Sequence, residues 1–182
     1  MNVDGFEIER KFLIAMPDQA LLAGASRSRI EQTYLLGEEG TTERVRMREY
    51  PERTEYTHTT KRKINALRRE ELEETIDRSA YAALLRRADP ERRPIEKQRC
   101  CLPYEGQLLE IDIFPFWKDY AILEIELEEE GQTFSLPAEI RVLREVTEDA
   151  RYTNSALSRE IPDPAREEGN MEGCASSKEV KG

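Results

Sequence analysis

The stretch F-E-I-E-R-K-F-L-I, residues 6–14, decides the fold. Its charged residues Glu7, Glu9 and Lys11 are spaced two apart, and most of the alternate positions are apolar. Successive side chains of a β-strand point to opposite faces of the sheet. We therefore predict a strand with one charged face and one apolar face.

The same alternation recurs along the chain. A solvent-facing surface would mix in many neutral polar residues, but this set is almost purely ionic and places acids and bases on different strands. The pattern favours a shared charged interior, as in a closed barrel with a polar lumen. A network of mutually neutralising salt bridges is the alternative, although buried ion pairs often add little net stability. The charged positions that follow the alternation are Arg46, Arg48, Lys61, Arg69, Glu71, Glu73, Lys97, Arg99, Glu110, Asp112, Glu124, Glu126 and Glu128.

The predicted fold class is α+β, an eight-stranded antiparallel β-barrel with a charged lumen and peripheral helices. The predicted strands cover residues 6–14, 29–36, 44–50, 55–62, 68–76, 94–102, 107–114 and 121–129. The predicted helical segments cover residues 16–22, 80–88, 138–143 and 153–159. Asp77-Arg78-Ser79 is the expected start of the second helix, since Asp and Ser both cap well, and Thr153-Asn154-Ser155 offers a cap for the last.

Length and composition suit one domain and a tail. The chain has 182 residues, of which 38 % are hydrophobic and 36 % charged. We predict a domain over residues 1–162 and a disordered polar tail over 163–182. No stretch approaches the ~20 apolar residues of a membrane-spanning helix, and we expect neither a signal peptide nor a membrane partner.

The cysteines predict the cellular compartment, and the net charge limits the class of partner. Three cysteines without framework or zinc spacing predict a reducing compartment, the cytoplasm. A net charge of −10 argues against a nucleic-acid partner. The single histidine, His58, lies on the parity opposite Lys61, which disfavours a His-based catalytic dyad or metal centre. The oligomeric state is not fixed by the sequence, and a homodimer is left open.

The two kinds of charge suggest a chemistry. Mg²⁺ and Mn²⁺ prefer hard oxygen ligands, whereas Arg and Lys side chains suit phosphate oxygens. Acidic strands facing basic strands therefore suit a polyphosphate that is bridged by a divalent metal. Without such a metal, so many neighbouring carboxylates would not all remain ionised.

The residues also resemble a known family. E-I-E-R-K (7–11) is similar to the E-x-E-x-K signature of the CYTH superfamily, also called the triphosphate tunnel metalloenzymes. The resemblance extends over residues 5–160, and a strand-lined tunnel is the fold it implies. It continues through I-E-Q-T-Y-L (30–35), V-R-M-R (45–48), T-T-K (59–61), R-x-E-x-E (69–73), K-x-R (97–99), E-I-D (110–112), E-I-E-L-E (124–128) and E-V-T-E-D-A-R-Y-T-N (145–154).

The resemblance implies roles for individual residues. The metal ligands it implies for Mg²⁺ or Mn²⁺ are Glu7, Glu9, Glu71, Glu73, Asp112, Glu124 and Glu126. The triphosphate-binding residues it implies are Lys11, Arg46, Arg48, Lys61, Arg69, Lys97, Arg99 and Arg151. The catalytic residues it implies are Lys11, Tyr34 and Glu73, the last as a carboxylate that orients the attacking water.

Tyr34 has two interpretations. In the first, its ring packs at the mouth of the barrel. In the second, it pairs with Lys11, as in the tripolyphosphatase-like members that the sequence resembles. In those members such a pair favours hydrolysis of inorganic triphosphate. In those members the last helix closes one end of the tunnel, and Tyr152 and Asn154 match that stretch. K-Q-R-C-C (97–101) and F-P-F-W-K-D (114–119) depart from the family pattern and put the substrate preference in doubt.

The expected function is metal-dependent hydrolysis of a small triphosphate, most of all inorganic triphosphate to pyrophosphate and phosphate. Three alternatives remain open. The first is a thiamine- or nucleoside-triphosphatase, and the second a class IV adenylate cyclase. The third, a non-catalytic polyphosphate-binding module, would have no use for the acidic residues.

Overall fold

The protein is described here by a computed structural model covering residues 8–63, 69–129 and 131–166. Glu7 of the signature lies outside the described residues, and so does most of the predicted tail, from residue 167 onward. Arg69 begins a strand, but its side chain also lies outside the description. Residues 164–166 are helical, with Arg166 N–H donating to the carbonyl of Asp163 at 3.2 Å.

A nine-stranded antiparallel sheet forms the body of the protein. Its order is β5-β4-β3-β2-β6-β7-β8-β1-β9. Within the described residues no pairing joins the edge strands β5 and β9, so a closed eight-stranded barrel is not confirmed, although a tunnel-like fold is compatible with this sheet. The strands are β1 (Ile8–Ala15), β2 (Ser26–Leu35), β3 (Thr41–Glu49), β4 (Thr54–Lys63), β5 (Arg69–Ile76), β6 (Ile95–Tyr104), β7 (Gln107–Ile113), β8 (Tyr120–Leu127) and β9 (Val142–Glu145).

The eight predicted strands are confirmed, with ends shifted by a few residues, but the helix predicted over 138–143 is wrong. Ile140 N–H closes a turn to the carbonyl of Pro137 at 3.0 Å, and the chain then becomes β9. Because β8 pairs along one side of β1 only, the other side of β1 needs hydrogen-bond partners. β9 supplies them, with Phe12 opposite Glu145 and Leu13 opposite Arg144.

The helices are short. Helix α1 (Arg78–Leu84) continues into a 3₁₀ turn over Leu85–Arg87. Of the two residues predicted to cap it, Asp77 does so, by accepting from Ala80 N–H at 2.8 Å. Helix α2 (Asn154–Leu157) is capped by Thr153 and follows a 3₁₀ turn over Ala150–Tyr152. The segment predicted as helical over 16–22 has only a 3₁₀ turn, over Leu21–Gly24. No helix among the described residues has the length and apolarity needed to cross a bilayer.

The two faces of the sheet differ as the alternation predicts. On the apolar face, Phe12 lies opposite Leu123, which lies opposite Ile111, and these residues belong to one buried cluster with Ile125. A second cluster, around Val45, covers the same face of β3 with residues of α1. The opposite face, called the polar face below, carries Glu9, Lys11, Ser28, Gln32, Tyr34, Arg44, Arg46, Arg48, Thr57, Thr59, Lys61, Glu71, Glu73, Lys97, Arg99, Cys101, Glu110, Asp112, Glu124 and Glu126.

Apolar residues end the polar face on one side. Leu13 and Ile122 share the parity of Lys11 and Glu124 but are buried in an apolar cluster. We call this cluster the apolar plug. Its buried members are Leu13, Ile95, Phe114, Trp117, Ile122, Val146, Tyr152 and Leu157. Because Leu157 belongs to α2, the final helix packs into the apolar plug and covers this end of the polar face, which is called the closed end below.

Candidate active site

Acidic residues from three neighbouring strands meet on the polar face. Glu9 of β1 lies directly opposite Glu126 of β8, and Glu124 of β8 lies directly opposite Glu110 of β7. Directly opposite residues on an antiparallel pair have Cβ atoms about 5 Å apart. Carboxylates at that spacing repel one another unless cations lie between them.

Lys11 and Arg99 are the cations that separate these carboxylates. The Nζ atom of Lys11 lies 2.9 Å from Glu124 Oε1 and 3.5 Å from Glu9 Oε1. Arg99 donates to Glu124 Oε2 at 2.6 Å and also contacts Glu110. Burial and Asp112 alone would raise the pKa of Glu124, but the surrounding cations hold it below its usual value. Glu124 is therefore ionised at neutral pH.

Asp112 forms a buried ionic cluster with the two cations of β6. Its carboxylate accepts from Arg99 Nε and Nη2, each at 2.7 Å, and from Lys97 Nζ. Burial alone would raise the pKa of Asp112, but Lys97 and Arg99 lower it. Burial lowers the pKa of the Lys97 ammonium, and the carboxylate of Asp112 opposes that shift. The cluster fixes both cations at the boundary between the acidic strands and the rest of the face.

A row of three arginines on β3 forms the basic part of the polar face. Arg46 and Arg48 have no carboxylate partner within residues 8–63, 69–129 and 131–166, and they bind Gln32 Oε1 and Ser28 Oγ instead. Burial and then the neighbouring Arg44 lower the pKa of Arg46. The Nε atom of Arg44 is buried without a hydrogen-bond partner among the described residues. Excess positive charge and an unpaired donor are what an anion site requires.

The edge strand β5 brings a second pair of acids to the face. Glu71 accepts from Lys61 of β4, with Nζ and Oε2 at 2.7 Å, and Glu73 accepts from Thr59 Oγ1, also at 2.7 Å. Arg44 reaches over β4 to within 3.7 Å of Glu73. Both glutamates are more than 40 % exposed, so their oxygens remain accessible to solvent.

Side chains also meet across other intervening strands. Arg48 of β3 reaches over β2 to lie 3.8 Å from Cys101 Sγ of β6. Arg99 of β6 reaches over β7 to Glu124 of β8. Neighbouring strands are about 4.8 Å apart, so the two bridged strands are about twice that distance apart. Such contacts gather the side chains over the face, as on the inner surface of a curved sheet.

Tyr34 lies at the closed end of the face, beside the arginine row. Its hydroxyl oxygen is 3.0 Å from Gln32 Nε2, and the guanidinium of Arg92 stacks on its ring at 3.6 Å. Arg92 is held in turn by Ser155 and Ser158, at and after α2. Burial raises the pKa of Tyr34, although nearby arginines oppose the shift. Tyr34 therefore carries its proton at neutral pH.

The acidic residues fit a divalent metal by their chemistry. Glu9, Glu124 and Glu126 offer carboxylate oxygens from adjacent strands, and these are the donors that Mg²⁺ and Mn²⁺ prefer. Among the residues that the structure describes, no group of three or more His, Cys, Asp or Glu is already arranged as a metal centre. Lys11 instead neutralises the carboxylates of Glu124 and Glu9.

Comparison with known proteins places this geometry in a family. No protein-family model matches the chain. The inorganic triphosphatase of Nitrosomonas europaea is 38 % identical to it over 162 residues, which cover 86 % of this chain and 99 % of that protein. The chain belongs to the CYTH superfamily.

Solved structures agree with the assignment to the CYTH superfamily. The crystal structure of the inorganic triphosphatase NE1496 superposes on this chain with a TM-score of 0.61 at 32 % identity, covering 87 % of this chain and 97 % of that one. A crystal structure of the hypothetical protein NE1496 gives a TM-score of 0.60 at 32 % identity, with 86 % and 100 % covered.

Most of the residues predicted for the CYTH site lie together on the polar face. Arg151 is an exception, since it belongs to the 3₁₀ turn after β9 and pairs with Asp149 at 2.6 Å. Glu7 and the side chain of Arg69 lie outside the described residues. His58 lies on the opposite face, as predicted, 3.1 Å from Glu74. The predicted residues that share the polar face are Glu9, Lys11, Tyr34, Arg46, Arg48, Lys61, Glu71, Glu73, Lys97, Arg99, Asp112, Glu124 and Glu126.

Sequence reasoning missed three residues of this candidate site, and it placed Glu110 on the charged face without giving it a role. Arg44 shares the alternation of Arg46, so the strand pattern could have identified it. Gln32 has the same parity as Tyr34, but nothing in the sequence marks a neutral amide as important. Arg92 lies in the loop between the 3₁₀ turn and β6, and only the tertiary fold brings it to Tyr34.

Proposed function

We propose that this protein hydrolyses inorganic triphosphate to pyrophosphate and phosphate, with Mg²⁺ or Mn²⁺ as cofactor. The observation that carries the proposal is the juxtaposition on one sheet face of two β3 arginines, Arg46 and Arg48, that form no salt bridge among the described residues and of grouped carboxylates on β1, β7 and β8. The printed name of the Nitrosomonas europaea relative supports the same substrate.

The basic residues bind the triphosphate chain. Arg46 and Arg48 have no competing carboxylate partner among the described residues, so they take phosphate oxygens without breaking an ion pair. Arg44 adds its unpaired Nε donor. Charge-assisted hydrogen bonds of this kind are among the strongest that proteins make. Lys61, Lys97 and Arg99 extend the basic surface on either side, and Arg69 and Arg151 are proposed as further contributors.

The acidic residues hold the metal. Glu9, Glu124 and Glu126 are the ligands we assign, with Glu7 as a fourth and with Asp112, Glu71 and Glu73 acting directly or through water. When bound, the divalent ion neutralises negative charge on the transferring phosphoryl group. Lys11, now paired with Glu124 and Glu9, is then free to turn its ammonium toward the substrate.

Hydrolysis requires a water molecule in line with the P–O bond that breaks. Glu73 is exposed and oriented by Thr59, and we assign it to orient that water and accept its proton. The water oxygen bonds to the terminal phosphorus, while the electron pair of the broken P–O bond goes to the leaving pyrophosphate. Lys11 and Tyr34 stabilise the charge that develops on the phosphate oxygens. The protein contributes positioning and electrostatic stabilisation and forms no covalent intermediate.

The closed end favours a substrate without an organic group. The apolar plug and α2 end the polar face next to Tyr34, so the triphosphate occupies a cup that is open on one side. Thiamine triphosphate and nucleoside triphosphates would have to place their organic portion at the open side. A class IV adenylate cyclase would also need to seat adenine and activate a ribose hydroxyl.

The setting we propose is the cytoplasm. Cys100 and Cys101 are both free thiols, which is the state favoured in a reducing compartment. They point to opposite faces of β6, since Cys100 is packed in the buried cluster that contains Phe12 and Leu123, and Cys101 lies on the polar face.

Phosphate release from a substrate panel tests the function. Inorganic triphosphate, pyrophosphate, thiamine triphosphate and ATP are compared with and without Mg²⁺, and the ATP reaction is also assayed for cyclic AMP. Fast metal-dependent release from inorganic triphosphate alone is expected. Cyclic AMP with pyrophosphate would identify a cyclase, and triphosphate binding without turnover would identify a non-catalytic module.

A further inference from the structure

Gln32 is a buried amide that connects the arginine row to Tyr34. The residue is only 1 % exposed, although it lies on the polar face. Its oxygen, Oε1, accepts from Arg44 Nη1 at 3.1 Å and from Arg46 Nη2 at 3.2 Å. Its nitrogen, Nε2, lies 3.0 Å from the hydroxyl oxygen of Tyr34.

The two arginines fix which end of this amide faces Tyr34. The oxygen and nitrogen of a glutamine amide are hard to tell apart by position, so the orientation has to be inferred from partners. A guanidinium has only N–H donors and no acceptor. If the amide were reversed, its NH₂ group would meet the N–H groups of Arg44 and Arg46. The oxygen therefore faces the arginines, and the NH₂ group faces Tyr34.

This orientation determines the role of the Tyr34 hydroxyl. Because Gln32 donates to the hydroxyl oxygen, the hydroxyl proton points away from Gln32 and is free for another acceptor. Burial raises the pKa of Tyr34, so that proton stays in place at neutral pH. Arg92, stacked on the ring at 3.6 Å, fixes the plane in which the hydroxyl lies.

We propose that Gln32 is a positioning residue that holds Tyr34 as a hydrogen-bond donor to the bound triphosphate and couples that orientation to Arg44 and Arg46. The inference rests on the proposed function, since it names the acceptor as a triphosphate oxygen. In the reaction, negative charge increases on the oxygens of the leaving pyrophosphate, and a preoriented donor stabilises that charge. Gln32 itself touches neither substrate nor metal.

Gln32→Met tests the proposal, because methionine has nearly the same length but cannot hold the two arginines or donate to Tyr34. Gln98→Met is the matched control, since Gln98 is exposed on the opposite parity of β6, in register with Arg29 of β2. Each variant is made in the wild-type chain and in a Tyr34→Phe chain, and kcat and KM are measured for inorganic triphosphate.

The two kinetic constants should respond differently. We expect Gln32→Met to lower kcat about tenfold in the wild-type chain, as for the loss of one functional hydrogen bond, and less than twofold in the Tyr34→Phe chain. KM should rise in both chains, because the arginines lose their common acceptor. Equal kcat losses in the two chains would overturn the proposal, since Gln32 would then act independently of Tyr34.

A spectroscopic readout separates this inference from the proposed function. The chain has seven tyrosines, and in protein labelled with ¹³Cζ-tyrosine the Tyr34 signal is the one that disappears in Tyr34→Phe. That signal should move in Gln32→Met and stay in place in Gln98→Met, without any substrate. An unmoved signal would overturn the assigned hydrogen bond. If the signal moves but the wild-type protein does not hydrolyse triphosphate, the proposed function is wrong and the hydrogen bond between Gln32 and Tyr34 is still supported.

Discussion

The carboxylate of Asp112 accepts two parallel hydrogen bonds from the guanidinium of Arg99, each at 2.7 Å. Lys97 approaches the same carboxylate, and both Lys97 and Asp112 are almost completely buried. Both carboxylate oxygens are therefore occupied by cations. This arrangement favours Asp112 as the counter-ion that orients Lys97 and Arg99, whereas the exposed carboxylates of Glu9 and Glu126 are better placed to bind a metal directly.

Asp112→Asn should destabilise the fold. The substitution keeps the shape but removes the charge that compensates Lys97 and Arg99, and breaking a buried ion pair costs about 3 kcal/mol or more of unfolding free energy. Urea unfolding at pH 7 measures the loss. Asp119→Asn, at an exposed position, should change the unfolding free energy by less than about 0.5 kcal/mol. Equal effects of the two substitutions would contradict the assigned role.

The stability that Asp112 contributes should depend on pH in a defined direction. Lys97 and Arg99 overcome the effect of burial and hold the pKa of Asp112 below its usual 3.8. A carboxyl group with a lowered pKa in the folded state stabilises the fold above its unfolded pKa and loses that contribution as the pH falls. The difference in unfolding free energy between wild type and Asp112→Asn should thus be constant from pH 7 to 5 and shrink below pH 3.8. A difference that widens in acid would contradict the prediction.

Glu126→Gln should abolish turnover and leave the fold intact. Glu126 lies opposite Glu9 at the proposed metal site, and a neutral amide is a far poorer ligand for Mg²⁺ than a carboxylate. We expect phosphate release from inorganic triphosphate to fall roughly 100-fold or more, with an unchanged unfolding midpoint. Glu96→Gln, which alters an exposed carboxylate on the opposite parity, is the control. Near-normal rates in Glu126→Gln would remove it from the metal ligands.

Arg48→Ala should mainly weaken binding of the triphosphate. Arg48 is held by Ser28 Oγ at 3.0 Å and forms no salt bridge with a carboxylate within the described ranges. Losing one charge-assisted hydrogen bond costs about 1.5–3 kcal/mol, so KM should rise by about tenfold or more. Arg29→Ala is the matched control, since Arg29 is exposed and pairs with glutamates on the opposite face. Unchanged kinetic constants in Arg48→Ala would place it outside the site.

Lys11→Met should lower turnover without weakening metal binding. The Lys11 ammonium lies 2.9 Å from Glu124. Burial alone would lower the pKa of Lys11, but Glu124 and Glu9 together raise it above its usual value. A metal must therefore compete with this cation for the same carboxylates. Calorimetric titration with Mn²⁺ in the absence of substrate should show several-fold tighter binding in Lys11→Met than in wild type. The control is Lys118→Met, at an exposed site, which should bind Mn²⁺ as wild type does. Weaker Mn²⁺ binding in Lys11→Met would show that Lys11 does not compete with the metal for the carboxylates.

Much of the candidate site could be predicted because strand alternation is a local property. Glu9 and Lys11 share a face as soon as their segment is a strand, and burial of the apolar positions of both strands puts Glu124 on that same face. Arg44 obeys the same rule and could have been included with Arg46 and Arg48. Gln32 could not, since its importance comes from the orientation that two arginines impose on its amide.

The sequence by itself determined the eight strands of the predicted barrel, the division of their residues into a charged and an apolar face, and the kind of ligand that this charge suits. Only the tertiary structure decided the strand order, the replacement of a predicted helix by β9, and the contact of Arg92 with Tyr34. The physical reason is the range of the interactions. The two-residue period of a strand is fixed by the geometry of neighbouring backbone units. The free edge of β1, in contrast, pairs with Val142–Glu145, which lies more than a hundred residues away in the sequence. The ion pair between Asp112 and Lys97 likewise depends on which strands meet.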